Sequence, residues 1–205
     1  FYKLNLPDVS TIHNMTWTTS EEFAENLPSR NRRAKARKEI LRYEPYYKTD
    51  VVSSADDISE EELKWLYELY LNVKKVNYAF NTFDLSFNVM KKMLEHPNWE
   101  LVRVWLDPAK VDNAPSKPIG MTACYANPKA YCPMLIGLDY TYLHEYSNYR
   151  QTIYQAVKRA RERGFTKAYL NMCSTIEKKK VGAEPEQVVA FVQSKDEIGR
   201  ASCRE

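Results

Sequence analysis

Residues 138–151 lead from the end of one predicted strand into the first turn of a predicted helix. Open backbone N–H groups and the helix dipole at such a junction favour an anion, for example a pyrophosphate. Arg150 lies in the first turn, where a cation opposes the helix dipole unless an anion lies beside it. The segment therefore predicts either an anion site or a surface ion pair between Arg150 and Glu145. The residues predicted to hold the anion are Ser147, Asn148, Arg150 and Gln151.

A second polar cluster follows the next predicted strand. Its sequence is Ser174-Thr175-Ile176-Glu177-Lys178-Lys179-Lys180. The carboxyl ends of neighbouring parallel strands meet at one edge of a sheet, where ligands collect in folds of this type. We therefore expect both polar clusters at the same edge. At least two of the three lysines are expected to form a solvated helix face, and Lys178 is the one assigned to the binding site.

The sequence lacks the spacing of common metal and nucleotide sites. The three histidines, His13, His96 and His144, are far apart, and the cysteines form no Cys-x-x-Cys pair, so we expect no metal site. Cys173, at a predicted strand end, has no histidine near it in sequence that could activate it as a nucleophile. Neither a P-loop nor a glycine-rich dinucleotide motif occurs, which argues against both of these nucleotide sites.

Residues 30–42 form a strongly basic stretch, with seven basic side chains and one acidic side chain. Such a stretch can bind nucleic acid or anionic lipid. No aromatic residue is interleaved within it, so the bases of a nucleic acid would have no stacking platform there. A solvated basic helix face is therefore the preferred interpretation, and tRNA is kept only as an alternative partner.

The composition is typical of a soluble globular chain, with 205 residues, net charge +3, 44% hydrophobic and 28% charged residues. No apolar run approaches the roughly 18–20 residues that a membrane span requires, and no signal peptide is recognisable at Phe1. The scattered cysteines indicate no disulfide framework. We expect a cytoplasmic protein with one main domain.

Helix and strand signals give an α+β order. Ser20 is predicted to cap a first helix, Pro28 to end it and Ser29 to start the next. Ser59 and Glu62 have the spacing of a capping box. Further helices are predicted at 85–95, 147–164 and 174–180, and strands at 46–52, 99–106, 118–125, 131–140, 167–173 and 188–193. Because a helix joins strands 131–140 and 167–173, these strands should be parallel within a mixed central sheet flanked by helices.

Several pieces of the sequence resemble a known family. These pieces are Leu27-Pro28-Ser29-Arg30-Asn31-Arg32-Arg33, His96-Pro97-Asn98-Trp99-Glu100, Gly137-Leu138-Asp139-Tyr140, residues 149–165, and residues 174–183. With the order of elements, they resemble the GNAT acyltransferase fold, and its FemAB-like branch more closely. The later pieces are especially similar to a GNAT-like C-terminal domain of bifunctional bacterial proteins. In those proteins the preceding part is a pyridoxal-phosphate-dependent α-oxoamine synthase.

This resemblance implies transfer of an acyl group from a thioester, usually acyl-CoA or acetyl-CoA, to a small-molecule amine, without a metal. The two parallel strands would splay apart between residues 134–139 and 170–173, exposing backbone N–H groups that stabilise the developing oxyanion. A carboxylate or a water chain removes the proton of the amine, and the matching carboxylate here is Asp139. Tyr142 and Tyr149 are the matching candidates for the acid that protonates the departing thiolate.

One turn departs from the family pattern. Typical GNAT enzymes hold the pyrophosphate on an (Arg/Gln)-x-x-Gly-x-(Gly/Ala) turn, which would fall at about residues 145–150 and contains no glycine here. Three alternatives stay open. Arg150 compensates, the donor is an acyl carrier protein or an aminoacyl-tRNA as in FemAB relatives, or the domain is a non-catalytic binding module of a fused synthase.

Both ends of the chain are expected to lie outside the catalytic domain. Residues 1–19 are assigned to a preceding region and residues 20–196 to the GNAT-like domain. Residues 197–205 resemble the in-frame translation of a sequencing adapter and are excluded from the natural sequence. We therefore expect a metagenomic fragment of a longer protein, with a pyridoxal-phosphate-dependent synthase as a fused or neighbouring partner.

Overall fold

The computed structural model describes residues 1–76, 85–172 and 175–193, so the adapter-like residues 197–205 lie outside the described part. Its strands are β1 Tyr2–Ile12, β2 Tyr47–Val52, β3 Trp99–Leu106, β4 Gly120–Asn127, β5 Ala130–Leu138, β6 Ala168–Tyr169 and β7 Glu184–Val192. They form one sheet in the order β2-β3-β4-β5-β6-β1-β7. The β5–β6 pair is parallel and the other neighbouring pairs are antiparallel. The predicted α+β fold with a mixed sheet is confirmed.

Six α-helices surround the sheet in the described residues. They are α1 Ser20–Glu25, α2 Arg30–Ala36, α3 Glu60–Val76, α4 Phe87–Met93, α5 Asn148–Glu162 and α6 Thr175–Lys180. The capping box of α3 is confirmed, because the Ser59 hydroxyl accepts from the Glu62 N–H and the Glu62 carboxylate accepts from the Ser59 N–H. The predicted cap of α1 is wrong by one residue, since Thr19 and not Ser20 caps that helix.

Residues 1–19, for which the sequence predicted no element, contain the long strand β1. It pairs with β6 through Thr11 and Tyr169 and with β7 from Tyr2 and Val192 onward. Most of β1 is exposed. Its first half, Tyr2-Lys3-Leu4-Asn5-Leu6, alternates apolar and polar side chains, but Pro7 and Asp8 interrupt this short signal before the buried end of the strand. β6 is shorter than the predicted strand at 167–173, because the chain leaves the β5 side of the sheet after Tyr169.

Two helices on opposite faces of the sheet position the region around β5. On one face, Tyr154 and Val157 of α5 pack in the same core cluster as Val102 of β3. On the other face α3 lies so close to β5 that a Cβ atom at Gly137 would lie 2.7 Å from the Tyr70 backbone nitrogen. The C-terminal half of β5 is therefore fixed from both sides.

Glu100 forms a buried charged cluster at the end of the sheet where β5 and β6 still pair. Its carboxylate is 3% exposed and accepts from Arg159 Nε and Nη2 at 3.0 Å each and from the Tyr131 hydroxyl at 2.5 Å. Arg163 lies 3.3 Å away. Burial opposes ionisation of Glu100, but the hydrogen bonds from Arg159 and Tyr131 outweigh it and lower its pKa. The cluster ties β3, β5 and α5 together.

Candidate active site

The strands β5 and β6 pair at a single point and then separate. Tyr131 lies opposite Ala168, and its N–H donates to the Lys167 carbonyl at 3.0 Å. Beyond this point the chain after β6 turns to β1, where the Leu170 N–H donates to the Ser10 carbonyl at 2.7 Å. We call the space left beside β5 the β5–β6 opening. It lies where the sequence predicted the splay.

A β-bulge in β5 coincides with this opening. The β4 partner of Leu135 is Ala123, but the next β4 residue, Cys124, pairs with Pro133, which leaves Met134 as an extra residue. A bulge bends its strand and increases the local twist. The proline also has no N–H to donate to a neighbouring strand. Both features favour the end of regular pairing between β5 and β6 at this point.

The hydrogen-bond alternation of β5 determines which backbone groups face the opening. The Asp139 N–H donates to the Ile119 carbonyl at 2.8 Å, toward β4. In an antiparallel pair successive residues alternate in direction, so the N–H groups of Ile136 and Leu138 point to the opposite edge. In agreement, the Leu138 carbonyl accepts from the Asn72 amide of α3 at 3.3 Å and not from β4. The Ile136 N–H is thus directed at the opening.

Lys178 holds the far wall of the opening. The residue is only 7% exposed, and its ammonium donates to the carbonyls of Asn171 and Met172 at 3.2 and 2.6 Å. Asn171 adopts a left-handed backbone with φ 65°. Its side-chain amide donates to the Met134 carbonyl at 3.1 Å across the opening. The predicted binding residue Lys178 therefore contacts the main chain that follows β6.

The start of α5 is built around the buried side chain of Asn148. Its amide donates to the carbonyls of Ile119 and Asp139 at 2.8 and 3.0 Å, and its oxygen accepts from the Thr152 hydroxyl at 3.1 Å. Ser147, just before it, has φ 57°. A non-glycine residue in this conformation costs roughly 1–2 kcal/mol. The turn thus reaches a glycine-like backbone without a glycine.

A π-helical turn at Arg37–Leu41, directly after α2, faces the start of α5. A π-helix breaks the regular i to i−4 hydrogen bonding of an α-helix. The Gln151 amide donates to the Ile40 carbonyl at 2.5 Å, and the Ser147 hydroxyl donates to the Glu39 carbonyl at 3.4 Å. Gln151 is fully buried. Two of the predicted anion-binding side chains therefore anchor α5 to the π-helical turn.

Four charged side chains meet above this contact, and we call them the α5–α6 ion cluster: Glu39, Arg150, Glu177 and Lys180. Arg150 lies 2.6 Å from Glu177 and 3.3 Å from Glu39, and Lys180 lies 2.9 and 3.3 Å from the same two carboxylates. Burial raises the pKa of the Glu177 carboxyl, but the hydrogen bonds that Arg150 and Lys180 donate to it lower the pKa by more. The net pKa of Glu177 therefore lies below its ordinary value. The alternative pairing of Arg150 with Glu145 is wrong. The cluster as a whole is electrically neutral.

The three predicted catalytic side chains lie in different surroundings. Asp139 follows β5 directly, and its carboxylate accepts from the Thr141 N–H at 2.9 Å. Tyr142 packs beside Tyr146, with ring centroids 6.2 Å apart, against the core cluster under β2 and β3. Tyr149 packs against the core cluster around α5. Asp139 thus lies next to the opening, whereas Tyr142 belongs to another part of the core.

Sequence reasoning missed the partners of the predicted side chains. Glu39 is the single acid of the basic stretch at 30–42, which is a signal that could have marked it as an internal ion-pair partner. Glu177 stands beside the predicted Lys178. Asn171 is a residue type that tolerates the left-handed backbone, but its bond to β5 has no local signature.

Three of the seven cations of the basic stretch, Arg32, Arg33 and Arg37, form local ion pairs among the described residues. Arg32 pairs with Glu184 of β7, and Arg37 pairs with Glu21 and Glu25 of α1. These contacts lie on exposed surface, where each contributes at most about 1 kcal/mol. The paired arginines therefore join α2 to its neighbours, whereas the other four cations of the stretch form no ion pair among the described residues.

The family model described as acetyltransferase (GNAT) domain matches residues 30–178, most of the chain. The chain belongs to this family. The match spans the β5–β6 opening and the start of α5, so the GNAT acyltransferase prediction is confirmed and the chain is a transferase domain. No curated protein sequence matches the chain significantly. None of the described helices is long and apolar enough to cross a membrane, and no metal-binding group of His, Cys, Asp or Glu occurs among the described residues.

Solved structures share the fold of this GNAT domain at low sequence identity. FemX matches with a TM-score of 0.61 at 15% identity, covering 89% of this chain and 60% of FemX. L-PGS from Bacillus licheniformis matches with a TM-score of 0.59 at 11% identity, covering 91% and 60%. The C-terminal domain of an Agrobacterium fabrum protein described as a lysylphosphatidylglycerol synthetase matches with a TM-score of 0.59 at 10% identity, again covering 91% of this chain and 60% of that domain. The chain thus spans 60% of each, and the resemblance to the FemAB-like branch holds at the level of fold.

Proposed function

We propose that this GNAT domain is an N-acyltransferase that binds an activated acyl carbonyl in the β5–β6 opening and transfers the acyl group to a primary amine. The observation that carries the proposal is the separation of β5 from β6 after the Tyr131–Ala168 pair. It leaves the Ile136 N–H directed at a space between two strands. A fixed backbone donor in such a place stabilises a developing oxyanion without reorganisation.

The proposed reaction is a simple acyl exchange. The amine nitrogen attacks the carbonyl carbon, a C–N bond forms, and the carbonyl electron pair moves to the oxygen held by the Ile136 N–H. The C–S bond of the thioester then breaks, and the thiolate leaves with its electron pair. Asp139 accepts the proton of the amine, directly or through water. Of the two candidate acids, Tyr149 supplies the proton that the thiolate takes up, because Tyr142 lies in another part of the core.

The α5–α6 ion cluster bears on how the donor is held. Pyrophosphate at the start of α5 would meet Glu39 and Glu177, which now neutralise Arg150. Binding of acyl-CoA through Arg150 therefore requires that its phosphates displace one of these carboxylates from Arg150. An acyl carrier protein, which is held by its own surface, avoids this displacement. In both cases the reacting group is a thioester.

The donor assignment is tested by calorimetry with CoA and with an acyl carrier protein. If the CoA phosphates bind at Arg150, Arg150→Ala abolishes binding and Glu177→Gln tightens it, because one competing carboxylate is gone. If CoA binds to both variants with the wild-type affinity, Arg150 does not contact the CoA phosphates. Binding of the carrier protein without binding of CoA would support the carrier as donor. No binding of either would favour the non-catalytic module, whose fusion to a pyridoxal-phosphate-dependent synthase stays a prediction of the resemblance.

The chemistry is tested by following thiol release with a panel of primary amines. Asp139→Asn is expected to lower kcat by about 10²–10⁴-fold, the usual contribution of a general base. Asp57→Asn, at an exposed carboxylate before α3, is the matched control and should leave kcat unchanged. Unchanged kcat in Asp139→Asn would remove Asp139 as the base.

A second candidate function is aminoacyl transfer from aminoacyl-tRNA, supported by the shared fold with FemX and L-PGS. The cations available for tRNA are those of the basic stretch that carry no strong ion pair. Binding of tRNA that weakens steeply with salt and falls in a Lys35→Ala, Lys38→Ala variant, which removes two exposed cations without an ion pair among the described residues, would favour this function. Salt-insensitive or undetectable binding would exclude it.

A further inference from the structure

A surface pocket on the α3 face of the sheet lies away from the β5–β6 opening, from which β4 and β5 separate it. Its cavity volume is about 70 Å³, the size of a small head group and not of a whole drug-sized ligand. The lining side chains that matter here are Glu61, Glu62, Trp65, Arg103, Trp105 and Lys117. Nothing in the proposed acyl transfer uses them.

Two indole rings are fixed beside this pocket. The Trp65 indole N–H donates to the Pro118 carbonyl at 2.9 Å, and the Trp105 indole N–H donates to the Asp50 carboxylate at 2.9 Å. Both indole N–H groups therefore already have a hydrogen-bond acceptor within the chain. The ring faces are left for contacts with other groups, and an aromatic face attracts a cation.

Each ring already carries a cation from the chain. The Arg103 guanidinium lies 5.5 Å from the Trp105 ring centroid, and the Lys117 ammonium lies 4.9 Å from the Trp65 ring centroid. The two cations differ in how they are held. The Arg103 side chain is 13% exposed and pairs with Asp50 and Glu62. Lys117 is exposed and pairs with no carboxylate of the described residues, so it can leave its ring at low cost.

The charge at the rim favours a second cation in place of Lys117. Glu61 and Glu62 lie on the first turn of α3 at the pocket wall, and Glu62 keeps its charge because Ser59 hydrogen bonds lower its pKa. Glu61 has no cationic partner within the described residues. Once Lys117 has moved away, an indole face and a free carboxylate remain together. That combination matches an organic ammonium group and disfavours an anion.

We propose that this pocket binds an organic ammonium group on the face of Trp65, displacing the Lys117 side chain that occupies it in the free protein. The inference is independent of the proposed acyl transfer. The proposed class of ligand is alkylammonium compounds, which carry a positively charged nitrogen on an organic group.

The test uses the full chain and tetramethylammonium chloride as the probe, with sodium chloride at equal ionic strength and neutral tert-butanol as controls. Binding is followed by the NMR shift of the Trp65 indole N–H. A saturable shift with the ammonium probe alone is expected. Lys117→Ala should tighten binding about two- to five-fold, which is the strength of one exposed cation–π contact.

Matched carboxylate variants separate this pocket from general charge effects. Glu61→Gln should weaken binding several-fold, whereas Glu60→Gln, whose carboxylate pairs with Lys64 outside the pocket, should leave it unchanged. Both changes are on the exposed side of α3 and keep the fold. An equal response to tert-butanol, the absence of saturation, or an affinity that Lys117→Ala leaves unchanged would each overturn the proposal.

Discussion

Replacing Glu100 by glutamine is expected to destabilise the domain because it removes the carboxylate that holds two arginines. Glutamine has nearly the same volume and can still accept from the Tyr131 hydroxyl. Its amide group, however, must face the donors of Arg159 that now bind both carboxylate oxygens. Arg163 is left without its carboxylate partner, and Arg159 keeps only its longer contact with the exposed Glu162, at 3.7 Å.

The size of the effect follows from the burial of the three groups. Removing one partner of a fully buried ion pair costs about 3–5 kcal/mol. The side chains of Arg159 and Arg163 are 27% and 32% exposed, so water partly solvates them after the change. We therefore expect a loss of about 2–3 kcal/mol of unfolding free energy. For a domain of this size that lowers Tm by roughly 4–12 °C.

The assay is urea unfolding at neutral pH, repeated down to acidic pH. Because the folded pKa of Glu100 is lowered, its contribution is present above the unfolded pKa of about 4.5 and is lost as the pH falls through the folded value. The difference between wild type and Glu100→Gln should therefore shrink in acid. Glu184→Gln, which removes a surface pair with Arg32, is the control and should cost less than about 1 kcal/mol. A Glu100→Gln effect no larger than that of the control, or one that does not depend on pH, would refute the reasoning.

Three further substitutions test the supports of the active site. Gly137→Ala should cost about 1–3 kcal/mol in urea unfolding, because its Cβ would meet the Tyr70 backbone; a neutral result would contradict the close packing of α3 on β5. Gln151→Leu should cost about 1–3 kcal/mol, because the Ile40 carbonyl loses its side-chain donor; unchanged stability would show that water replaces it. Lys178→Met should speed amide hydrogen exchange in residues 170–172 and lower kcat with little effect on β3 exchange; equal changes throughout would indicate only a general loss of stability.

Local signals in the sequence predicted most of the helices and strands. The Ser59–Glu62 cap and the break at Pro28 depend on residues within one or two turns of each other, and both are present in the structure. β1 could not be found in this way. Its first five residues alternate apolar and polar side chains, but Pro7 and Asp8 interrupt this pattern, and the partners of the strand lie at the other end of the chain.

In the candidate site, too, the sequence predicted the features that depend on the order of elements and missed the contacts between distant segments. The sequence located the junction before α5 and the parallel strands around the opening, because both follow from the order of elements. It could not show that Gln151 bonds to the π-helical turn or that Glu39 reaches Arg150, since these contacts join segments more than 100 residues apart. The assignment of Asp139 and the tyrosines to catalysis stays a prediction.

The position of β1 in the sheet also has a consequence for how the domain is made. Strands β2 to β5 pair with near neighbours in sequence and can form as they are synthesised. β1 is synthesised first, yet Thr11 pairs with Tyr169 and Glu184, which come last. Such distant pairing is slow to form. Until β7 is complete, the nascent domain carries an unpaired first strand and an open β5 edge, and this is the interval in which it is most exposed to aggregation.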